Sequence, residues 1–225
     1  PYVSFLKKLN NNFFDYTQIY AFQENTYVLW DETNQCIIID PGMQDNREET
    51  ELVDFIESNE LKPVKIVLTH AHIDHILGCW FTAKKFNIDL YAHKDAVQFV
   101  VNSTRDGAVF GIQMGKTKGI DHFIDENDGV EFGNSKLKVF LTPGHADGSL
   151  CFYASDESFV ITGDVLFNQS IGRTDLPTGS YELLQKSIWE KLFTLPDETV
   201  AYPGHGPETT IGSEKVSNPF VAIGT

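Results

Sequence analysis

The chain has 225 residues, 41% hydrophobic and 22% charged, an ordinary globular balance at a length that can bury a substantial core. With 17 basic and 32 acidic residues its net charge is −15, a field that repels phosphate backbones and anionic lipid and so argues against nucleic-acid and membrane partners. No apolar stretch approaches bilayer-spanning length and no signal-peptide pattern is visible. Cys36, Cys79 and Cys151 are scattered without CxxC spacing and read as reduced, buried thiols of a cytoplasmic protein.

Taken in order, Tyr27–Trp30 and Cys36–Ile39 are apolar runs flanking Asp31-Glu32-Thr33-Asn34, the pattern of a β-hairpin, and Asp40-Pro41-Gly42 closes the second strand in a turn. From Asn46 to Asn59, Leu52, Val53, Phe55 and Ile56 recur with helical period among acidic residues, and Pro63 leads into the apolar run Val64–Leu68. The next ten residues are Thr69-His70-Ala71-His72-Ile73-Asp74-His75-Ile76-Leu77-Gly78. Alternate side chains of extended backbone share a face, so the end of a strand delivers His70 and His72 together, while Asp74 and His75 at the start of a helix approach from a second direction. Neutral imidazole and carboxylate are the ligands a borderline divalent metal such as zinc prefers. Four donors at one turn exceed what a single tetrahedral ion takes from one peptide, which points to two adjacent ions with further ligands from elsewhere.

Beyond the cluster, Ile76–Phe86 is helical in pattern, Ile88–Tyr91 is a short strand, and Lys94–Val101 reads as a helix begun by His93, with Val97 and Val100 on one side. Residues 102–119 carry Gly107, Gly111, Gly115 and Gly119 and read as an irregular, mobile segment near the site; His122 lies in a polar stretch. Strand-like runs follow from Phe132 to Ile161. Ser180–Phe193 reads as a helix burying Leu183, Leu184, Ile188, Leu192 and Phe193, stopped by Pro196, and Trp30, Trp80 and Trp189 read as packing residues. The further donors stand at strand ends: His145 after Leu137–Leu141, Asp164 after Phe159–Ile161, His205 after Thr199–Ala201, each directly preceded by glycine. Strands alternating with helices give a mixed α/β protein, read as one domain over 1–225 with a helical and irregular insertion at about 93–125.

His-x-His-x-Asp-His, then a strand-end His, a Gly-Asp and a Gly-His in this order, resembles the metallo-β-lactamase superfamily from the hairpin near Tyr27 to Pro219-Phe220. The resemblance implies an αββα sandwich of two mixed β-sheets flanked by helices, with a dinuclear site at one edge of the sheets. It implies that His70, His72 and His145 hold one metal, that Asp74, His75 and His205 hold a second, and that Asp164 bridges them, with Asp74 and Asp164 the catalytic carboxylates. β-Lactamases of the commonest type have Cys where Asp164 stands and Arg where His75 stands, and the diiron flavoproteins have Glu where His72 stands. Gly163–Phe167 followed by Gly172-Arg173-Thr174-Asp175 is similar instead to the glyoxalase II group and its short bacterial relatives, which lack the helical C-terminal domain. Longer members of that group have Lys at the position of Arg173 and Tyr at the position of Asp175; Arg173 is the candidate for the anionic end of the substrate.

What this resemblance implies is hydrolysis of acyl-thioesters such as S-lactoylglutathione by a hydroxide held between two divalent ions, zinc first, with iron or manganese also suited to the ligands. A thiolate leaving group, with a conjugate acid near pKa ~8.5, departs without a strong general acid, whereas an amine needs one. The alternative is a mononuclear non-haem iron persulfide dioxygenase, similar in its Gly-Arg-Thr-Asp run, that would use His70 or His72 with His145 and Asp164 and leave Asp74, His75 and His205 without a role. The expected partner is a small-molecule thioester, and the expected state a monomer or homodimer.

Overall fold

The structure, a computed structural model, describes residues 5–12 and 23–223. Its first sheet is β1 (Phe5–Asn12), β2 (Gln23–Trp30), β3 (Gln35–Ile39), β4 (Lys62–Val67), β5 (Asp89–Ala92) and β6 (His122–Phe123), side by side in that order. The first three strands pair antiparallel, and β2 and β3 form the hairpin expected from their flanking runs; β3 through β6 pair parallel. The second sheet consists of β7 (Gly129–Phe132), β8 (Ser135–Leu141), β9 (Leu150–Ala154) and β10 (Phe159–Gly163) in sequence. A separate ribbon of β11 (Leu166–Phe167) and β12 (Ser170–Ile171) intervenes before β13 (Val200–Pro203), which pairs parallel with β10, and β14 (Thr209–Thr210), which closes the sheet antiparallel. Both sheets are therefore mixed.

The alternation of side chains along these strands decides the layering. Tyr27, Leu29, Ile37 and Ile39 of the first sheet share one core with Leu137, Val139, Phe152 and Ile161 of the second, so the sheets pack face to face. The opposite face of the first sheet, Val28, Cys36 and Ile38, packs on Leu52 and Ile56 of α1 (Asn46–Ser58), whose N-terminus Asp45 caps by accepting from the backbone N–H groups of Arg47 and Glu48. Ile66, Leu68 and Leu90 bury against Cys79 and Ala83 of α3 (Cys79–Phe86), which follows the single-turn α2 (Ile73–Ile76). The outer face of the second sheet, Cys151, Val160 and Ala201, is covered by Leu184, Ile188 and Leu192. These lie on α5 (Tyr181–Ser187), continued as a π-helical turn, with Ile211 of α6 (Ile211–Ser217) beside them. The result is helix, sheet, sheet, helix, the αββα order expected. All three cysteines are buried and free, and no described helix is long and apolar enough to cross a membrane.

Three local readings change. The helix expected over Lys94–Val101 begins as a 3-10 turn and runs on as α4 (Val97–Val109), through half of the segment read as irregular. Gly107 sits inside it because the chain folds back there: a Cβ would lie 2.7 Å from Met114 Cγ. Gly111, at φ +74, terminates the helix, and irregular chain follows. On α4 it is Val100, Ser103 and Gly107 that face inward, whereas Val97 is exposed. In the later helix Leu183 is exposed while Leu184, Ile188, Leu192 and Phe193 are buried. The wide turn, with Phe193 N–H donating to Ile188 O, holds Leu192 and Phe193 inward and leaves Leu183 off the buried face.

Candidate metal centre

The cluster forms where the sheets are tied together at one edge. Leu150 N–H donates to Thr69 O across the sheets, Gly204 N–H donates to Gly163 O, and Asn25 N–H donates to Gly204 O. Asn25 Nδ2 and Tyr27 OH, both of the first sheet, also donate to Pro203 O at 2.9 and 2.6 Å. These bonds hold the strand ends bearing His70, Asp164 and His205 against one another. Of the glycines before the strand-end donors, Gly144 and Gly163 have φ of +128 and +49. Gly204 is required for closeness, because a Cβ would stand 2.2 Å from Asp164 Oδ1 and 2.8 Å from His75 Cε1.

All seven expected donors come together. One group able to hold a metal ion is His70, His72 and His145, and another is Asp74, His75 and His205. Asp164 stands between them: Oδ2 lies 3.6 Å from His145 Nε2 and 3.4 Å from His205 Nε2, while Oδ1 lies 3.5 Å from His75 Nε2. Asp74 Oδ2 is 3.2 Å from His205 Nε2.

The hydrogen bonds behind the imidazoles fix which nitrogen faces the cluster. His145 Nδ1 donates to the carbonyl oxygen of Arg173 at 2.8 Å, since a carbonyl only accepts. His75 Nδ1 donates to Asp40 Oδ2 at 3.0 Å. Thr69 gives its hydroxyl proton to Asp40 Oδ2, so its oxygen accepts from His70 Nδ1 at 3.1 Å. Each imidazole is left with the Nε2 lone pair pointing inward, and those three Nε2 atoms and Asp164 Oδ1 are buried without a hydrogen bond. Buried acceptors that converge with no donor among the described residues are what a cation satisfies, so the donor set fits a metal. Asp40 was read from the sequence only as part of a turn; its signal was its place at the end of β3, one more carboxylate at a strand end. It adopts φ +48 to reach His75 and Thr69.

The electrostatics agree. Burial, reinforced by the neighbouring imidazoles His75 and His72, pushes His70 well below the usual histidine range, and burial with His145 brings His72 down to about 4. Burial also opposes charge on His205, but Asp164 and Asp74 outweigh it and raise that group to about 10; His75 is raised by the same two carboxylates. Asp164, largely shielded from solvent, is held ionised, well below its ordinary value, by His205 and His75. Asp74 and Asp164 thus favour positive charge at the cluster.

A cleft of about 400 Å³ opens onto His72, Asp74, His145, Asp164 and His205. Arg173 lines it, but its Nε and Nη2 form a bidentate pair with Asp175, both at 2.8 Å. The far wall is α4, including Phe99, whose ring stands edge-on to His72 with centroids 5.3 Å apart. His93 and His122 take no part: His93 accepts from Asp95 N–H at the start of the 3-10 turn, and His122 is exposed on β6 beside Asp89.

A family model described as the metallo-beta-lactamase superfamily matches residues 19–205. The chain belongs to that superfamily. Superfamily relatives include the probable metallo-hydrolase YqgX of Bacillus subtilis, 39% identical over 88% of this chain and 92% of its own length. The hydroxyacylglutathione hydrolase GloC of Haemophilus influenzae is 35% identical over 89% and 94%. Among solved structures, the BLEG-1 B3 metallo-beta-lactamase superposes with TM-score 0.84 at 34% identity, over 96% of this chain and 99% of that one. TTHA1623, in a di-iron-bound form, superposes with TM-score 0.79 at 33% identity, over 88% and 95%. The superfamily binds metal ions, and the assembled histidine and aspartate groups are the candidate site for them in this chain.

Proposed function

We propose that the chain is a metal-dependent hydrolase of acyl-thioesters, and that both donor groups hold divalent ions, zinc first, with Asp164 between them. The observation that carries the reading is the set of inward-facing imidazole nitrogens fixed by Arg173 O, Thr69 and Asp40 around one buried carboxylate. When bound, the ions supply Lewis-acid chemistry, lowering the pKa of a water from about 15.7 to about 7 and polarising a carbonyl. The residues do the rest. His70, His72 and His145 on one side and Asp74, His75 and His205 on the other would hold the ions, and Asp164 stands between the two groups. Asp40 is committed to the Thr69 hydroxyl and backbone N–H and to His75, leaving it unsuited to protonate a leaving group. A thiolate leaves without that proton and an amine does not, which supports a thioester over an amide. The relationship to a hydroxyacylglutathione hydrolase supports the same choice.

The persulfide dioxygenase reading needs one ion held by two histidines and Asp164, and gives the second assembled group nothing to do. Metal content per chain separates the two when measured beside hydrolysis of S-lactoylglutathione and a chromogenic cephalosporin, with oxygen uptake on glutathione persulfide as the third assay. Two ions per chain with thioester cleavage is the expected result. One iron with oxygen uptake, or cephalosporin cleavage alone, would overturn the thioester reading.

A further inference from the structure

Helix α4 has two functional faces. Val100, Ser103 and Gly107 point into the fold, whereas Gln98, Asn102, Arg105 and Val109, spaced by four, three and four residues, line the cleft. The chain contains three arginines, Arg47, Arg105 and Arg173, and two of them line this one cleft in a protein of net charge −15. They are not equivalent. Asp175 grips the planar edge of Arg173 through two nitrogens, while Asp106 engages Arg105 through Nε alone, at 2.9 Å. Among the described residues the two terminal nitrogens of Arg105 have no hydrogen-bond partner. A guanidinium presents five N–H donors in a fork matched to a carboxylate, and Arg105, an exposed residue lining the cleft, has only Nε hydrogen-bonded among the described residues. The Asp106 pair does not block it, because an exposed pair between sequence neighbours is weak and easily shared.

The helix also measures the distance. Phe99 packs on His72 at the metal centre. Arg105 lies six residues further along α4, roughly 9 Å down its axis.

We infer that Arg105 is an anchor for a carboxylate at the end of the substrate remote from the metal centre. On the thioester reading, on which this inference rests, the substrate class is then an elongated thioester of an anionic thiol. Phe99, an apolar residue of the same wall on the metal-centre side of Arg105, packs against the stretch between the reacting carbonyl and that carboxylate.

The test uses metal-loaded protein and equilibrium binding, so that it does not depend on turnover. The probes are S-methylglutathione, a thioether with free carboxylates that cannot be hydrolysed, and its diethyl ester, in which they are capped. Calorimetry is expected to show the free acid binding about tenfold more tightly than the ester to the unaltered protein, the scale of one charge-assisted hydrogen bond. Arg105→Gln is expected to remove most of that difference, and Arg105→Lys to restore part of it. Equal preference in Arg105→Gln and unaltered protein, or no preference for the free acid in either, would overturn the inference. Arg105-dependent binding without any thioester cleavage would overturn the proposed reaction and leave the anchor standing. Thioester cleavage with binding indifferent to Arg105 would do the reverse.

Discussion

Replacing Asp40 by Asn tests whether the residues behind the ligands govern the metal centre. Asn tolerates left-handed backbone nearly as well as Asp, so the φ of +48 at this position is not disturbed. The change lies in the side chain. Asp40 Oδ1 accepts from Thr69 N–H at 2.7 Å, and Oδ2 accepts both from the Thr69 hydroxyl and from His75 Nδ1 at 3.0 Å. If the amide oxygen of Asn keeps the backbone bond, its NH₂ faces two former donors. His75 must then move its proton to Nε2, the nitrogen aimed at the cluster, and ceases to be a ligand. Loss of one charge-assisted hydrogen bond costs about 1.5–3 kcal/mol, and such outer partners affect metal affinity by about 10–100-fold. His75 belongs with Asp74 and His205, so the loss should fall chiefly on one of two ions. Competition with a chromophoric chelator, titrated to separate two binding steps, is the assay. The expected result is one step weakened by about 10–100-fold and the other much less. Two unaltered steps with unaltered turnover would refute the reasoning, since Asp40 is the carboxylate at hydrogen-bonding distance from His75 Nδ1, with Glu24 Oε1 further off at 3.9 Å.

Three further outcomes follow from the same geometry. Asp164→Asn removes the carboxylate between the two donor groups and should lower turnover by at least about a hundredfold, with metal content measured on the same sample; near-normal activity at full occupancy contradicts the assignment. Gly204→Ala sets a methyl 2.2 Å from Asp164 Oδ1, and overpacking of this kind costs about 1–3 kcal/mol; the expected loss of metal with native circular dichroism would fail to appear if the loop simply shifted. In the metal-free protein His205, raised to about 10, carries a proton at neutral pH, and His75 is shifted in the same direction by Asp164 and Asp74. A histidine must lose its proton to bind a metal, so uptake should release protons at pH 7 and weaken as the pH falls. Indicator dye in weakly buffered solution measures the release, and none at all would place the second ion elsewhere.

Local pattern carried much of this in the sequence. The run Val64–Leu68 before His70 and the helical spacing of Leu52 and Ile56 needed only side-chain period to be read, because strands and helices set that period within a few residues. The glycines before His145, Asp164 and His205 marked tight strand ends for the same reason. Long-range consequences were not legible. Asp40 meets His75 from 35 positions away, and the carbonyl of Arg173 orients His145 from 28 away. Neither backbone carbonyls nor turn carboxylates advertise a distant partner. Glycine content suggested that residues 102–109 were irregular, when Gly107 was small to admit Met114 and the helix continued as the cleft wall. The sequence by itself therefore determined which residues stand at strand ends and what metal chemistry their side chains permit. Only the tertiary structure decided which lone pairs converge, how the two cleft arginines differ in their pairing, and which helix face lines the cleft, because those depend on contacts between segments that no local period encodes.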